Sequence, residues 1–134
     1  MVGPPRDTRR LHLGALALAT VLAGCSHTLA EVRARPPEFR LPGVAPSRQL
    51  EVALCVRDVL DQAISGEDAA IAQEIEREPD GMHVVGRPDE NASAAVYDVA
   101  VREDAVTATM ASPSDALRET LRNAAASCLG PAAP

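Results

Sequence analysis

The residues that could carry out chemistry in this sequence are few, and their spacing does not form a catalytic pattern. Beyond the first 26 residues there are two histidines, His27 and His83. A histidine that acts as a general base needs a nucleophile beside it, and Ser93, Ser112 and Ser127 lie in no elbow or triad motif. We therefore expect no catalytic residues and no enzyme activity.

Clusters of carboxylates are the other candidate for chemistry, because oxygen ligands bind hard cations. Asp58 and Asp61 lie nearly one helical turn apart, and the run Asp89-Glu90-Asn91 groups further oxygen-bearing side chains. Neither spacing resembles a calcium loop, and a solvated acidic surface explains both more simply. There is also no glycine-rich phosphate loop. The sequence therefore predicts no metal and no cofactor.

The first 25 residues have the organisation of a signal peptide. Arg9 and Arg10 precede an apolar run over residues 11–21, and small residues end the stretch at Cys25. A positive start, a short apolar middle and a small-residue cleavage site are typical of secretory signals. The run is shorter than the ~20 residues of a membrane-spanning helix, so we expect export and removal of residues 1–24. A buried apolar helix is the alternative, and the paired arginines leave general and twin-arginine export both open.

The motif Leu22-Ala23-Gly24-Cys25 resembles the lipobox of bacterial lipoproteins. The resemblance implies cleavage between Gly24 and Cys25, a diacylglyceryl group on the Cys25 thiol, and a fatty acid such as palmitate on its new amino group. It also implies a domain held on a lipid bilayer by acyl chains. Ser26 stands where Asp would favour inner-membrane retention in enterobacteria, which implies the inner leaflet of the outer membrane, facing the periplasm.

Length and charge limit the classes of function. The chain has 134 residues, and removal of 24 would leave 110, enough for one small domain. Hydrophobic residues make up 46% of the chain but aromatic residues only 1%, so the core must be built mainly from aliphatic side chains. The formal net charge of −6 argues against nucleic acid and against docking on anionic lipid, since both depend on basic residues.

The sequence from Cys25 onward divides into a tether, a domain and a tail. Residues 25–46 are predicted to be the lipidated cysteine and an extended, proline-rich tether with solvated arginines, because proline interrupts helix and sheet alike. Residues 47–130 are predicted to form a small α+β periplasmic domain. Residues 131–134 are predicted to be a frayed tail.

The α+β domain is predicted from the changing period of its apolar residues. Helical spacing over residues 47–64 and 112–130 predicts a first and a last helix. Residues 70–78 fit either strand or helix, and alternation predicts short strands at 82–86, 97–101 and 105–110. We expect an antiparallel meander of three or four strands with both helices on one sheet face, which leaves the opposite face as a candidate contact surface.

Two cysteines remain once Cys25 is assigned to lipid. Cys55 and Cys128 each lie on the apolar stripe of a predicted helix. In an oxidising compartment such a pair favours a disulfide, which would close a loop of about 73 residues (128 minus 55). Two free cysteines packed as small hydrophobic side chains are the alternative.

The whole pattern is similar to small uncharacterised lipoproteins of proteobacteria, on the strength of the lipobox, the proline-rich segment, the paired cysteines and the α+β domain. The resemblance implies no particular activity. We expect a non-catalytic envelope accessory that contacts another envelope protein, and the alternative is a small-ligand or cation-binding periplasmic module. A long unpaired strand edge would favour the first function, and a pocket with converging polar groups would favour the second.

Overall fold

Five strands form one antiparallel sheet in the computed structural model, which describes residues 27–64, 71–88 and 93–130. The strands are β1 (Phe39–Pro42), β2 (Ile71–Glu78), β3 (Gly81–Pro88), β4 (Tyr97–Arg102) and β5 (Ala105–Met110). The helices are α1 (Leu29–Arg33), α2 (Gln49–Ala63) and α3 (Asp115–Leu129), with a 3-10 turn at Pro46–Arg48 before α2. The predicted α+β class is confirmed, with five strands where three or four were expected.

The sheet is a meander extended by one strand from the N-terminal part of the chain. Its order is β1-β5-β4-β3-β2, so β1 and β2 are its edges. Pro79 and Asp80 connect β2 to β3, and Glu103 and Asp104 connect β4 to β5. Such two-residue connections join antiparallel neighbours directly. The segment that fitted either strand or helix is therefore β2.

Alternation along the strands separates an apolar face from a polar one. In β4, Tyr97, Val99 and Val101 are fully buried, as the alternating pattern predicts. Helices α2 and α3 cover this apolar face and complete one core with it. The residues that the two helices bury most completely are Val52, Ala53, Val56, Leu60, Leu121, Ala124 and Ala125. Both long helices thus lie on the same side of the sheet.

Helix α3 begins and ends at residues suited to those positions. Ser114 is its N-cap, and the Ser114 Oγ accepts a hydrogen bond from the backbone N–H of Leu117 at 3.3 Å. Gly130 follows the last turn with φ of 77°, a conformation in which a Cβ would be strained. The helix therefore stops where the sequence predicts.

The N-terminal segment belongs to the fold, so the prediction of an extended tether through residue 46 is wrong. Helix α1 buries Val32 completely. Strand β1 pairs with β5 and places Phe39 opposite Ala108. His27 is also part of the fold, because its carbonyl oxygen accepts a hydrogen bond from the N–H of Ala95 at 2.8 Å.

Proline limits these two N-terminal elements without preventing them. Pro36 and Pro37 lie between α1 and β1, and Pro42 is the last residue of β1. Proline fixes φ and lacks an N–H, so it is tolerated between elements and on edge strands. The elements it delimits have five and four residues, which is too short for periodicity to reveal them.

Several predicted features lie outside the described residues. These are the signal peptide over residues 1–24, its cleavage site at Gly24, the lipidation site Cys25, the run Asp89-Glu90-Asn91 and the tail over residues 131–134. Within the described ranges, no helix is both long enough and apolar enough to cross a membrane.

Candidate binding site

The sheet face turned away from α2 and α3 carries charged and hydroxyl side chains at alternating strand positions. We call it the polar face. Its residues are Arg40, Glu74, Glu76, Glu78, His83, Arg87, Asp98, Arg102, Thr107 and Thr109. The strand register sets Arg40 opposite Thr107, and His83 opposite Glu76. Residues that are far apart in sequence therefore form one connected polar surface.

Helix α1 lies over part of the polar face. It is held there by a small apolar cluster, separate from the main core, of Val32, Val85, Ala95 and Ala111. Because Val32 faces inward, the last residue of the helix, Arg33, extends toward the charged side chains of the sheet. The segment predicted to be a tether thus supplies part of the site.

His83 lies on the polar face between two carboxylates, with only 1% of its surface exposed. Its Nδ1 is 2.9 Å from Asp98 Oδ1, and its Nε2 is 2.9 Å from Asp80 Oδ1. A neutral imidazole has one N–H, so only the imidazolium can donate to both carboxylates. Burial lowers the pKa of His83, but hydrogen bonds and charge from Asp98 and Asp80 outweigh it and raise the pKa above its ordinary value. His83 is a buried structural cation.

Arg33 joins β2 to this buried network. Its Nη1 donates to Glu78 at 3.1 Å, and its Nη2 lies 3.5 Å from Asp98 and 4.0 Å from Glu76. Burial lowers the pKa of Arg33, while Asp98 and Glu78 raise it by a larger amount. The Nε of Arg33 is buried and has no hydrogen-bond partner among the described residues.

Arg102 holds the other end of the network. Its Nε donates to Asp80 Oδ2 at 2.5 Å, and its Nη1 donates to Thr107 Oγ1 at 3.1 Å. Burial raises the pKa of Asp80, but Arg102 and His83 more than offset it and bring the pKa to about 2. Asp80 therefore stays ionised at neutral pH and keeps both cations in place.

A pocket of about 150 Å³ opens on the polar face beside this network. Four arginines line it, namely Arg33, Arg35, Arg40 and Arg102, together with Thr109. Asp98 is the one carboxylate among its described lining residues. Thr109 is 8% exposed, and its Oγ1 has no hydrogen-bond partner in the described part of the chain. The pocket is therefore cationic and holds an unused buried hydroxyl.

Larger grooves lie elsewhere in the described part of the molecule. One of about 520 Å³ runs between β1, α2 and α3 and is lined largely by aliphatic side chains such as Leu41 and Leu129. Another, of about 490 Å³, lies near the β2–β3 turn, beside Arg77 and Glu103. A further groove of about 440 Å³ runs along α3 beside Arg122. None of their described lining residues has a buried side-chain polar atom that lacks a partner. The polar-face pocket is thus the strongest candidate site.

The structure places His83, the histidine considered as a catalytic base, in the buried charge network. Both ring nitrogens of His83 face carboxylates, which leaves neither free to accept a proton from a nucleophile. Ser127 lies in α3 and donates its hydroxyl to the carbonyl of Ala124 at 2.8 Å. His27 lies 3.4 Å from Glu31, outside the polar face.

Of the carboxylates considered as cation ligands, the structure describes Asp58 and Asp61. Asp58 is exposed on α2 and pairs with its neighbour Arg57 at 3.1 Å, and Asp61 is exposed on the same helix. Within the described ranges, no group of three or more His, Cys, Asp or Glu residues is arranged to hold a metal ion.

Cys55 and Cys128 are joined as the sequence predicts. Their sulfur atoms lie 2.12 Å apart and their Cα atoms 5.7 Å apart. The bridge links α2 to α3, so it braces the helical layer on the side of the sheet opposite the pocket.

The residues of the pocket are missed by sequence reasoning alone. Arg33, Arg35 and Arg40 fall in the segment interpreted as a tether, where arginine indicates solvated charge. Asp98 and Arg102 do alternate with the buried residues of β4, which places them on one face. That alternation is the only signal for the site, since their neighbours across the sheet depend on strand register.

Comparisons with known proteins provide no family and no relative from which the fold or the site of this chain could be inferred. No protein-family model matches the sequence, and searches of curated proteins and of solved structures found no match.

Proposed function

We propose that this protein is a lipid-anchored, non-catalytic binding module of the bacterial envelope, with its ligand site in the polar-face pocket. One observation carries the proposal: four arginines and an unpartnered Thr109 hydroxyl converge on one small concavity. Ligand sites combine a concave shape with a few converging polar groups. The carboxylates on both sides of His83 support binding rather than catalysis.

The anchor is proposed from the lipobox-like motif that ends at Cys25. His27, two residues later, is already hydrogen-bonded into the fold. Two extended residues span about 7 Å, so an acylated Cys25 would hold the domain directly against lipid headgroups. The proposed setting is the periplasmic leaflet of the outer membrane. Intact mass of the membrane-extracted protein tests the anchor, and a chain that retains residues 1–24 would contradict it.

The binding function is tested by thermal unfolding of the full-length protein in neutral detergent. Inorganic ions, sugars, amino acids and other small periplasmic metabolites are added one class at a time. A ligand present at 100 times its Kd raises the free energy of unfolding by about 2.7 kcal/mol. We expect one class to stabilise the protein, and Arg35→Gln to reduce that stabilisation. Arg122→Gln, on the exposed side of α3, is the matched control, and failure of every class contradicts the proposal.

A second candidate function is a protein-binding accessory, and strand β2 favours it. β2 has eight residues and forms one edge of the sheet. Such an edge can accept a strand from a partner protein. This function comes second because Glu74 and Arg77 are exposed on β2, and charged side chains are a common protection of edge strands.

In-cell crosslinking separates the second function from the first. A photoreactive residue at position 74 is compared with one at position 122, which lies on α3. Reproducible capture of one envelope protein at position 74 alone would support the accessory function. Equal capture at both positions, or none at either, would argue against it.

A further inference from the structure

We propose that the polar-face pocket is an oxyanion site, which binds one phosphate- or sulfate-like group through arginine and threonine donors. This inference rests on the function proposed above and names its class of ligand. The chemistry is that of a compact anionic group whose oxygens accept several charge-assisted hydrogen bonds at once.

The charge of the pocket is opposite to that of the molecule. The chain has a formal net charge of −6, yet four arginines and one carboxylate line the pocket. That carboxylate, Asp98, is already paired with His83 at 2.9 Å and approached by Arg33 at 3.5 Å. Arg33 and Arg102 also pair with carboxylates outside the pocket, Glu78 and Asp80, so the attraction for an anion comes mainly from Arg35 and Arg40.

Two of the arginines have donors to spare. Arg35 pairs with no carboxylate in the described part of the chain, and its Nη1 donates to the carbonyl of Ala111. A guanidinium has five N–H donors in a planar fork that matches oxyanions. Arg40 pairs only with Asp104 among the described residues, at 3.5 Å, and these side chains are 65% and 69% exposed. Such an exposed pair is weak, so Arg40 can turn toward a ligand at little cost.

The unpartnered atoms at the pocket specify the sign of the ligand. Buried polar groups in proteins are normally satisfied by protein, water or ligand. Thr109 Oγ1 and Arg33 Nε are buried without partners among the described residues. The Arg33 Nε–H can only donate a hydrogen bond, so a ligand that satisfies it must supply an acceptor. An oxyanion accepts from both Thr109 and Arg33, whereas a metal cation cannot accept from either.

The volume of the pocket limits the ligand to a small group. A volume of about 150 Å³ corresponds to about five water molecules at roughly 30 Å³ each. Pockets for drug-sized ligands are larger, at roughly 300–1,000 Å³. A tetrahedral oxyanion fits with one or two waters, and anything attached to it must extend into solvent.

At a membrane surface, a phosphate group for this pocket has two sources. One is a free anion such as inorganic phosphate, and the other is the phosphate of a lipid headgroup. The short connection from Cys25 to His27 would keep the domain close enough to lipid for both to be available. The experiment therefore uses one arm for each source.

Isothermal titration calorimetry on the full-length protein in neutral detergent measures both arms. Inorganic phosphate is the first titrant and dihexanoyl phosphatidic acid the second, with dihexanoyl phosphatidylcholine as the masked-headgroup control. The test variants are Thr109→Val and Arg35→Gln, and Arg122→Gln is the matched charge control. We expect one-to-one binding that weakens about tenfold in each test variant and is unchanged in the control.

Thr109→Val also separates binding from folding. Valine fills nearly the same space as threonine and removes a buried hydroxyl that has no partner among the described residues, a change that need not destabilise the fold. We expect its urea midpoint to equal or exceed that of the wild type while its anion affinity falls. A parallel loss of stability and affinity would indicate a merely structural threonine and would count against the site.

The outcomes identify the source of the anion, and they also separate failure of the oxyanion site from failure of the proposed binding function. Tighter binding of inorganic phosphate identifies a free anion, and tighter binding of phosphatidic acid identifies a lipid headgroup. No saturable binding of either, or an equal loss in Arg122→Gln, overturns the oxyanion site. If a neutral or cationic compound stabilises the protein and Arg35→Gln reduces the effect, the binding function stands and the oxyanion inference is wrong. If no class of compound binds, both fail.

Discussion

His83 and its two carboxylates place a buried cation in the interior of the polar face. Each nitrogen of His83 is 2.9 Å from a carboxylate oxygen, one of Asp80 and one of Asp98. Breaking a buried pair by removing one partner leaves an uncompensated charge, which costs about 3–5 kcal/mol. The network is therefore a structural element that orients Arg33 and Arg102 at the pocket.

We expect the free energy of unfolding to decrease at high pH because of His83 and at low pH because of Asp80. The raised pKa of His83 means that the folded protein keeps a proton that the unfolded chain has released. This contribution is complete below about pH 6.5, the ordinary histidine pKa, and is lost as pH rises through the folded pKa. Asp80, with a pKa of about 2, contributes above about pH 4 and loses its contribution as pH falls toward 2. Urea titrations should show maximal stability between about pH 4 and 6.5.

Two histidine variants test whether His83 causes the loss of stability at high pH. His83→Gln should lower the free energy of unfolding by about 3–5 kcal/mol at pH 6 and flatten its decline at alkaline pH. His27→Gln removes a histidine outside the network and should keep the wild-type slope. An unchanged alkaline slope in His83→Gln would show that another group causes it.

Gly86 in β3 should tolerate no side chain. A Cβ at this position would overlap the ring of Tyr97, which is fully buried. Overpacking of this kind costs about 1–3 kcal/mol, so Gly86→Ala should lower the urea midpoint by a corresponding amount. Combining it with Tyr97→Leu should recover part of the loss in a double-mutant cycle. If the effects of the two substitutions were additive, the destabilisation by Gly86→Ala would not come from its contact with Tyr97.

At the scale of elements, the disulfide connects the two long helices. It closes a loop of 73 residues, for which the chain-entropy model gives about 4 kcal/mol. Reduction, or Cys55→Ala with Cys128→Ala, should therefore lower the free energy of unfolding by about that amount. Treatment of the double variant with reductant is the control, because that variant has no bridge left to open and its urea midpoint should not change. Equal urea midpoints of the wild-type protein with and without reductant would contradict the prediction.

Elements with several repeats of a hydrophobic period were predictable, and short ones were not. Strands β4 and β5 match the alternating pattern nearly residue for residue, and α2 and α3 follow from helical spacing. Within α2, Val52, Val56 and Leu60 recur at helical spacing and are buried, whereas Ala63 is exposed. Strand β1 and helix α1 are stabilised by tertiary contacts that a local pattern does not contain.

The pocket escaped prediction for a related reason. Asp98 meets His83 because the register places Val85 opposite Asp98 and His83 opposite Ala100, so the pair lies diagonally across two strands. Arg33 reaches Glu78 across 45 positions of sequence. One-dimensional spacing can assign the strand residues His83 and Asp98 to a face of the sheet, but it does not identify their partners or those of Arg33, and these pairings form the site.

In the molecule as a whole, the two faces of the sheet have different roles. The apolar face, α2, α3 and the disulfide form the stable part of the protein, and the polar face with α1 forms the proposed ligand site. Changes at Arg35 or Thr109 can therefore alter binding with little effect on the main core, since neither residue belongs to it. This separation is why the proposed variants can report on function rather than on folding.

The pairing of β1 with β5 has a consequence for the order of folding. Phe39 lies opposite Ala108, and Cys55 bonds to Cys128, so the earliest segments depend on the latest ones. Closing such long loops makes folding slow. If the chain is exported as proposed, β1 stays without its partner strand and Cys55 keeps a free thiol until β5 and α3 have crossed the membrane. A product that ends before β5 would keep both an unpaired β1 and a free thiol, and we expect proteases and thiol oxidants to act on it before they act on the full-length protein.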